Sequence, residues 1–274
     1  MADATAGELS VPGARLYYET TGSGPILLVI QGGAGGAEGA AGLADELSDR
    51  FTVVSYDRRG FVRSPATDAA GPLGAIGQHS DDAHHLLLAL TAEPAFVFGS
   101  SVGALIGLDL VARHPDQVRL LVAHEPPIPE VLRRDERDAA VAAQKAVEET
   151  YEREGLLAAM RAFAAVAGLD MADREPDVEV PRPEARRMAD TSYFLTHDAP
   201  AVRTYRLNPK ALGDARDRIV VAAGSTSGDA WPHHCAQALA TLLGVPFIES
   251  PGGHNGYVMR PKTFAAWLEG LLQA

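Results

Sequence analysis

Five residues, Gly99-Ser100-Ser101-Val102-Gly103, close an apolar run (Phe96-Val97-Phe98) and open a helical pattern running from Ala104 to Ala112. A strand turned this sharply into a helix holds Ser101 at a strained apex, and glycine on either side leaves room for the backbones crowding it. Such a serine stands clear of the sheet, placed to attack a carbonyl carbon. A serine hydroxyl is a poor nucleophile at neutral pH, so the chemistry needs a neighbouring base and a group that orients it. Nine histidines compete for the base. His79, His84 and His85 fall on a predicted helix, His114 precedes a proline at a helix end, and His197 lies far from any predicted strand. Only His254 follows a predicted strand in a glycine-rich loop, Pro251-Gly252-Gly253-His254, and it is the expected general base.

These groups act together only if one scaffold joins positions 101 and 254, and the order of apolar runs defines it. Leu9 to Val11 and Arg15 to Glu19 flank Pro12-Gly13-Ala14 and predict a hairpin at a sheet edge. Six later runs are short, β-branched-rich and almost continuously apolar: Ile26 to Ile30, Phe51 to Ser55, Ala95 to Phe98, Arg119 to Ala123, Ile219 to Ala223 and Val245 to Ile248. They predict strands covered on both faces. Helical patterns at Ala37 to Leu47, Ser80 to Leu90, Val102 to Arg113, Trp231 to Leu243 and Pro261 to Leu272 separate most of them. The alternation predicts an α/β fold with a doubly wound, mostly parallel, eight-stranded sheet. It stops between Glu125 and about Gly213, where no convincing strand occurs. A helical lid over 126–213, inserted into a core of 1–125 and 214–274, is the expected organisation. Inside it, Ala139 to Ala167 has helical spacing, Met171 to Pro183 is charged and proline-bearing, and Arg186 to Leu195 predicts another helix.

With these motifs in this order, the chain resembles the α/β-hydrolase fold over essentially its whole length. Asp57-Arg58-Arg59-Gly60-Phe61-Val62-Arg63-Ser64 resembles that fold's Asp-x-Arg-Gly-x-Gly-x-Ser turn, with Val62 in place of the second glycine. The resemblance implies that Asp57 and Arg58 brace loops. It also implies an oxyanion hole made by the Val102 amide and an amide of the loop Gln31-Gly32-Gly33-Ala34-Gly35-Gly36, with Gln31 where the fold often has His. Gly32 and Gly33 both remain candidates. In most of the fold the acid follows the strand after the lid at a Gly-x-x-Asp spacing, which lands on Ser227; Asp229 comes two residues late. A subset carries the acid before the lid, where this chain has Glu125, 24 residues after Ser101. That subset includes the fungal zearalenone lactonases, whose Cys-His-Glu-Leu-Pro run resembles Ala123-His124-Glu125-Pro126-Pro127 and whose Pro-Gly-x-His loop, followed by Tyr-Val and Pro, resembles Pro251 to Pro261. The resemblance therefore implies a Ser101-His254-Glu125 triad, with Asp229 as the alternative acid, cleaving an ester or lactone through an acyl-enzyme without a cofactor. Lyases, perhydrolases and tailoring enzymes use the same scaffold without net hydrolysis, and a small-molecule binding protein retaining the fold is a third reading.

Composition narrows the partners. A net charge of −12 with no Lys/Arg run argues against nucleic acid and anionic membrane surfaces. The start Met1-Ala2-Asp3 lacks the basic, apolar pattern of a signal peptide, so a soluble cytoplasmic protein is expected. Cys235 is the only cysteine, and with His233 and His234 it reads as a helix start, with no matching cluster for a metal. The Gly-rich loop has neither the P-loop nor the dinucleotide spacing. The expected partner is a small ester or lactone held against lid residues. Met160, Phe163, Met188, Tyr193, Phe194 and His197 are candidates for the pocket, with Gln31 and Trp231 from the core; a homodimer is compatible with the sequence.

Overall fold

Runs of Val, Ile, Leu and Phe too apolar to face water on either side become the central strands of one sheet. The computed structural model describes residues 4–33, 35–67, 75–180 and 184–273. Met1 to Asp3, Ala34 of the glycine loop and the end of the proline-bearing stretch at 181–183 lie outside the described residues. The strands are β1 (Thr5–Val11), β2 (Ala14–Gly22), β3 (Ile26–Ile30), β4 (Thr52–Tyr56), β5 (Ala95–Ser100), β6 (Val118–His124), β7 (Ile219–Gly224) and β8 (Phe247–Ser250). They form an eight-stranded sheet in the order β1-β2-β4-β3-β5-β6-β7-β8. Pairing is antiparallel for β1 with β2 and β2 with β4, and parallel from β4 onward.

The helices are α1 (Ala41–Leu47), α2 (Ile76–Leu90), α3 (Val102–Arg113), α4 (Arg134–Glu154), α5 (Leu156–Ala167), α6 (Ala185–Tyr193), α7 (Ala199–Thr204), α8 (Pro209–Asp214), α9 (Trp231–Leu243), α10 (Gly256–Met259) and α11 (Pro261–Leu272). The period-two alternation of strand side chains sorts them onto two faces. Leu28, Val97, Leu121 and Val221 pack with Leu86, Leu105 and Leu239 of α2, α3 and α9. Leu27, Phe98, Val122 and Ala222 pack with Leu43 and Leu268 of α1 and α11 on the opposite face. Because β3 to β8 are parallel, the loops carrying Gly32, Ser101, Glu125, Ser227 and His254 all leave the same edge of the sheet. Ligands of open α/β sheets bind at that edge. Between β6 and β7 the chain is helical, α4 to α8. No helix among the described residues is long and apolar enough to cross a membrane.

Several bounds differ from expectation for local reasons. The helical run from Ala139 to Ala167 is two helices, because Gly155 adopts φ 84° and ends α4. The segment expected to stop at Leu195 continues past α6 as a π turn, Phe194–Asp198. The last strand starts at Phe247 because the Val245 amide is already donated to Ala240 O at the end of α9. The helix expected from Ser80 begins one turn earlier, at Ile76.

Candidate active site

Ser101 sits between β5 and α3 at φ 55° and ψ −123°, a conformation costing on the order of 1–3 kcal/mol for a residue with a side chain. Its neighbours explain both glycines. A β carbon at Gly99 would stand 2.5 Å from the Gly103 carbonyl oxygen, and one at Gly103 would stand 2.0 Å from that of Ile30. The Ser101 amide donates to His124 O at 2.9 Å, tying the turn to β6. Val102 opens α3, where the first amides have no acceptor within the helix.

Glu125 follows β6 directly, also at positive φ (48°), and is completely buried. Its Oε2 accepts from His254 Nδ1 at 2.5 Å, while Oε1 accepts from the Gly224 amide at 2.8 Å and from the Ser227 hydroxyl. Burial alone would raise the carboxyl pKa. The bond and charge of His254, the nearby His124 and the Ser227 hydroxyl outweigh it and hold the group at about 2. An ionised Oε2 can only accept, so Nδ1 carries the proton and the neutral His254 ring leaves Nε2 free to take another. His254 itself is only 5% exposed. No hydrogen bond joins its ring to the Ser101 hydroxyl, although both line the same cavity. Such bonds are often long before substrate binds. His124, fully buried beneath the pair, has its pKa lowered to about 4 by burial, and its Nε2 meets Ser250 Oγ at 3.0 Å.

Asp229 is exposed in the loop after β7 and makes no bond to His254. Ser227, at the spacing where the fold usually carries its acid, instead donates its hydroxyl to Glu125. Among the described residues, the one carboxylate bonded to His254 is therefore Glu125, just after β6. Sequence reasoning missed His233, whose buried Nδ1 lies 4.0 Å from Glu125 Oε1. Its position early in α9 reads in the sequence only as a helix start. Cys235 is buried there too, with its thiol on Ile128 O at 3.2 Å and its pKa pushed up to about 12 by burial.

The glycine loop after β3 is held by residues of the turn at 57–64. Arg58 is 1% exposed and donates to Gln31 O at 2.7 Å and to Gly33 O. Its remaining donors reach Asp198 Oδ2 at 3.1–3.2 Å, and Asp198 Oδ1 meets His79 Nε2 at 3.1 Å. The π turn thus aims a buried carboxylate from the helical segment at the loop facing Ser101; such bulges recur at functional sites. Asp57 accepts from the Ala37 amide at 2.7 Å and pairs with Arg63. Val62 replaces a glycine without strain: its φ is not positive, and its amide donates to Asp190 Oδ1 at 2.7 Å. Gly32 packs so close that a β carbon would stand 2.9 Å from Ser101 Cβ, and its amide lies 3.4 Å from the Tyr257 hydroxyl.

A cavity of about 400 Å³ opens over Ser101 and His254, lined by Gln31, Gly32, Gly33, Met160, Phe163 and Phe194 among others. A narrower pocket adjoins it, with Trp231, Pro127 and Val147 in its wall. Gln31 also braces its own loop, its side-chain amide donating to Gly36 O and to Ala37 O at 3.3 Å. Tyr193, His197 and Met188, expected at the pocket, are not in either wall. Tyr193 turns the other way, against Gly60, where a β carbon would clash with its ring, and edge-on to Phe61; His197 lies against Tyr193 with the rings tilted, 4.5 Å between centroids. The next two residues, Phe194 and Leu195, enter the cavity instead. Met171, Leu169 and Met259 also line it without having stood out in the sequence. Among the described residues, no cluster of three or more His, Cys, Asp or Glu is placed to hold a metal ion.

Comparison with known proteins agrees with this architecture. The family model described as the alpha/beta hydrolase fold matches residues 25–258. A Bacillus subtilis (strain 168) protein named uncharacterized hydrolase YraK is 36% identical over 271 residues, covering 97% of this chain and 96% of its own. Mouse serine hydrolase BPHL is 30% identical over 121 residues, 43% of this chain and 42% of its own. Among solved structures, a mutant of the N-acyl homoserine lactonase AidH complexed with N-hexanoyl homoserine superposes with a TM-score of 0.69 at 19% identity, covering 99% of this chain and 97% of that one. At that identity the likeness is one of fold.

Proposed function

This chain belongs to the α/β-hydrolase fold family, and from that premise we propose that it is a serine hydrolase of carboxylic esters or lactones, working through Ser101, His254 and Glu125. The observation that carries the reading is the buried Glu125–His254 bond at the sheet edge where the strained Ser101 turn also stands. Ser101 Oγ attacks the substrate carbonyl as His254 Nε2 takes its proton. The negative charge that develops on the carbonyl oxygen is held by the Val102 amide and that of Gly32 or Gly33, already oriented before reaction. His254, now an imidazolium beside ionised Glu125, gives its proton to the leaving alkoxide as the carbon–oxygen bond breaks. Water, deprotonated by His254, then attacks the acyl-enzyme and releases the acid and Ser101.

Glu125 as the acid, with Ser227 bonded to it, fits the subset of the fold whose acid precedes the lid. We assign the lid to 126–213, which contributes Phe163, Phe194 and Leu195 to the cavity wall. The apolar wall and its volume suit a substrate with a hydrophobic body. Support also comes from the names of the relatives, a hydrolase in Bacillus subtilis and a serine hydrolase in mouse. The test is turnover of aryl esters and of small and macrocyclic lactones by the wild type and Ser101→Ala. The proposal requires hydrolysis that vanishes in the variant; equal rates in both would end it.

A further inference from the structure

The cavity over Ser101 is mostly apolar, and beside neutral polar groups such as Gln31, Thr191 and Asn255 it holds two fixed positive charges. Arg161 of α5 and Arg187 of α6 line it, and among the described residues no Asp or Glu does, in a chain whose net charge is −12. Arg161 is exposed and enters no ion pair among the described residues. Arg187 has one carboxylate nearby, Glu38, but at 3.7 Å, beyond hydrogen-bond distance. Glu38 is instead bonded by Arg63 at 2.7 Å and Arg186 at 2.9 Å. Arg187 Nε is buried and has no acceptor among the described residues. A buried guanidinium donor without an acceptor is costly and is ordinarily met by an anion or water. Elsewhere the turn and the helical segment pair their arginines closely, as Arg58 does with Asp198 and Arg203 with Glu148.

We propose that Arg161 and Arg187 form an anion subsite, selecting substrates that carry a carboxylate away from the scissile carbonyl. The planar guanidinium suits a carboxylate, offering paired donors and a charge that no accessible pH removes. The apolar residues that share the cavity, including Met160 and Phe163, would cover the connecting chain. Substrates of this kind are half-esters or lactones with an acidic arm. The inference rests on Ser101 as nucleophile only for its turnover arm, and a binding arm stands apart from it.

The experiment compares monomethyl adipate, an anion at neutral pH, with neutral methyl hexanoate. Charge-assisted bonds to a partly exposed arginine pair predict a kcat/KM roughly tenfold higher for the anion. In Arg161→Gln and Arg187→Gln the ratio falls towards one, whatever happens to the individual rates. Calorimetry of Ser101→Ala with the same two esters gives the second arm: tighter binding of monomethyl adipate, weakened by raised salt. Equal binding of the two esters by Ser101→Ala, or a ratio unmoved by both arginine substitutions, overturns the subsite. Failure of the wild type to turn over either ester, with selective anion binding retained, would refute the hydrolase reading while leaving the subsite in place.

Discussion

Glu125→Gln changes one oxygen to an NH2 in a site with no room to rearrange. The Gly224 amide and the Ser227 hydroxyl both donate to Oε1, so the carbonyl oxygen of the substituted side chain keeps that place and its NH2 faces His254 Nδ1. Two donors then oppose each other. The ring responds by moving its proton to Nε2, where it can no longer accept from Ser101. In serine proteases the equivalent wrong tautomer lowers kcat by roughly 10⁴-fold, and the same loss is expected here with KM nearly unchanged. Stability changes in step. Lowering the carboxyl from 4.5 to about 2 corresponds to about 3 kcal/mol favouring the folded state. Because the folded pKa is the lower one, this contribution is present above pH 4.5 and is lost as pH falls towards 2. Gln cannot titrate, so the variant loses less stability than the wild type between those values. The assay is steady-state hydrolysis of an aryl ester, with denaturant unfolding at several acidic pH values. Asp229→Asn, at an exposed loop position, is the control, with stability within about 0.5 kcal/mol of wild type and nearly full activity. A loss of roughly 10⁴ in Asp229→Asn with little in Glu125→Gln would refute the reasoning.

Ser227 is bonded to Glu125, so a carboxylate there reaches the same ring; Glu125→Ala combined with Ser227→Asp should recover part of the activity that Glu125→Ala loses, read as kcat. Asp198→Ala strands Arg58 and His79 in the interior, which should cost about 3–5 kcal/mol by denaturant titration. Asp198→Asn, which keeps an acceptor for Arg58, should retain more of both stability and kcat. Burial lowers His124 from its usual 6.5 to about 4, so the unfolded chain binds this proton more readily. Its contribution is therefore lost as pH falls from 6.5 towards 4, and His124→Asn should flatten the dependence of Tm on pH across that window.

Much of the scaffold was legible because the signals were local. β3, α3, α9 and α11 begin and end where the apolar runs and the Pro or Gly beside them say they should. The turn at Ser101 was equally readable, since only glycine fits beside the Gly103 and Ile30 carbonyl oxygens. The acid was less so. Glu125 and Asp229 both follow strands, and spacing cannot report that Glu125 is buried against His254 while Asp229 faces water. The helical segment was the hardest. Phe194 faces the cavity while Tyr193 covers Gly60, and helical periodicity alone does not say which face of the segment meets the site and which packs on the turn at 57–64. Arg161 and Arg187 escaped notice for the opposite reason: charged residues on a predicted helix usually face solvent, and only the shape of the cavity distinguishes them.

The central claim is that Ser101 becomes acylated. Intact-mass analysis of the wild type, acid-quenched during turnover of a slowly released aryl ester, should show one added acyl group, located by digestion on the peptide containing Ser101. The adduct should be absent from Ser101→Ala. Turnover without any adduct under conditions where deacylation limits the rate, or an adduct that persists in Ser101→Ala, would contradict the account.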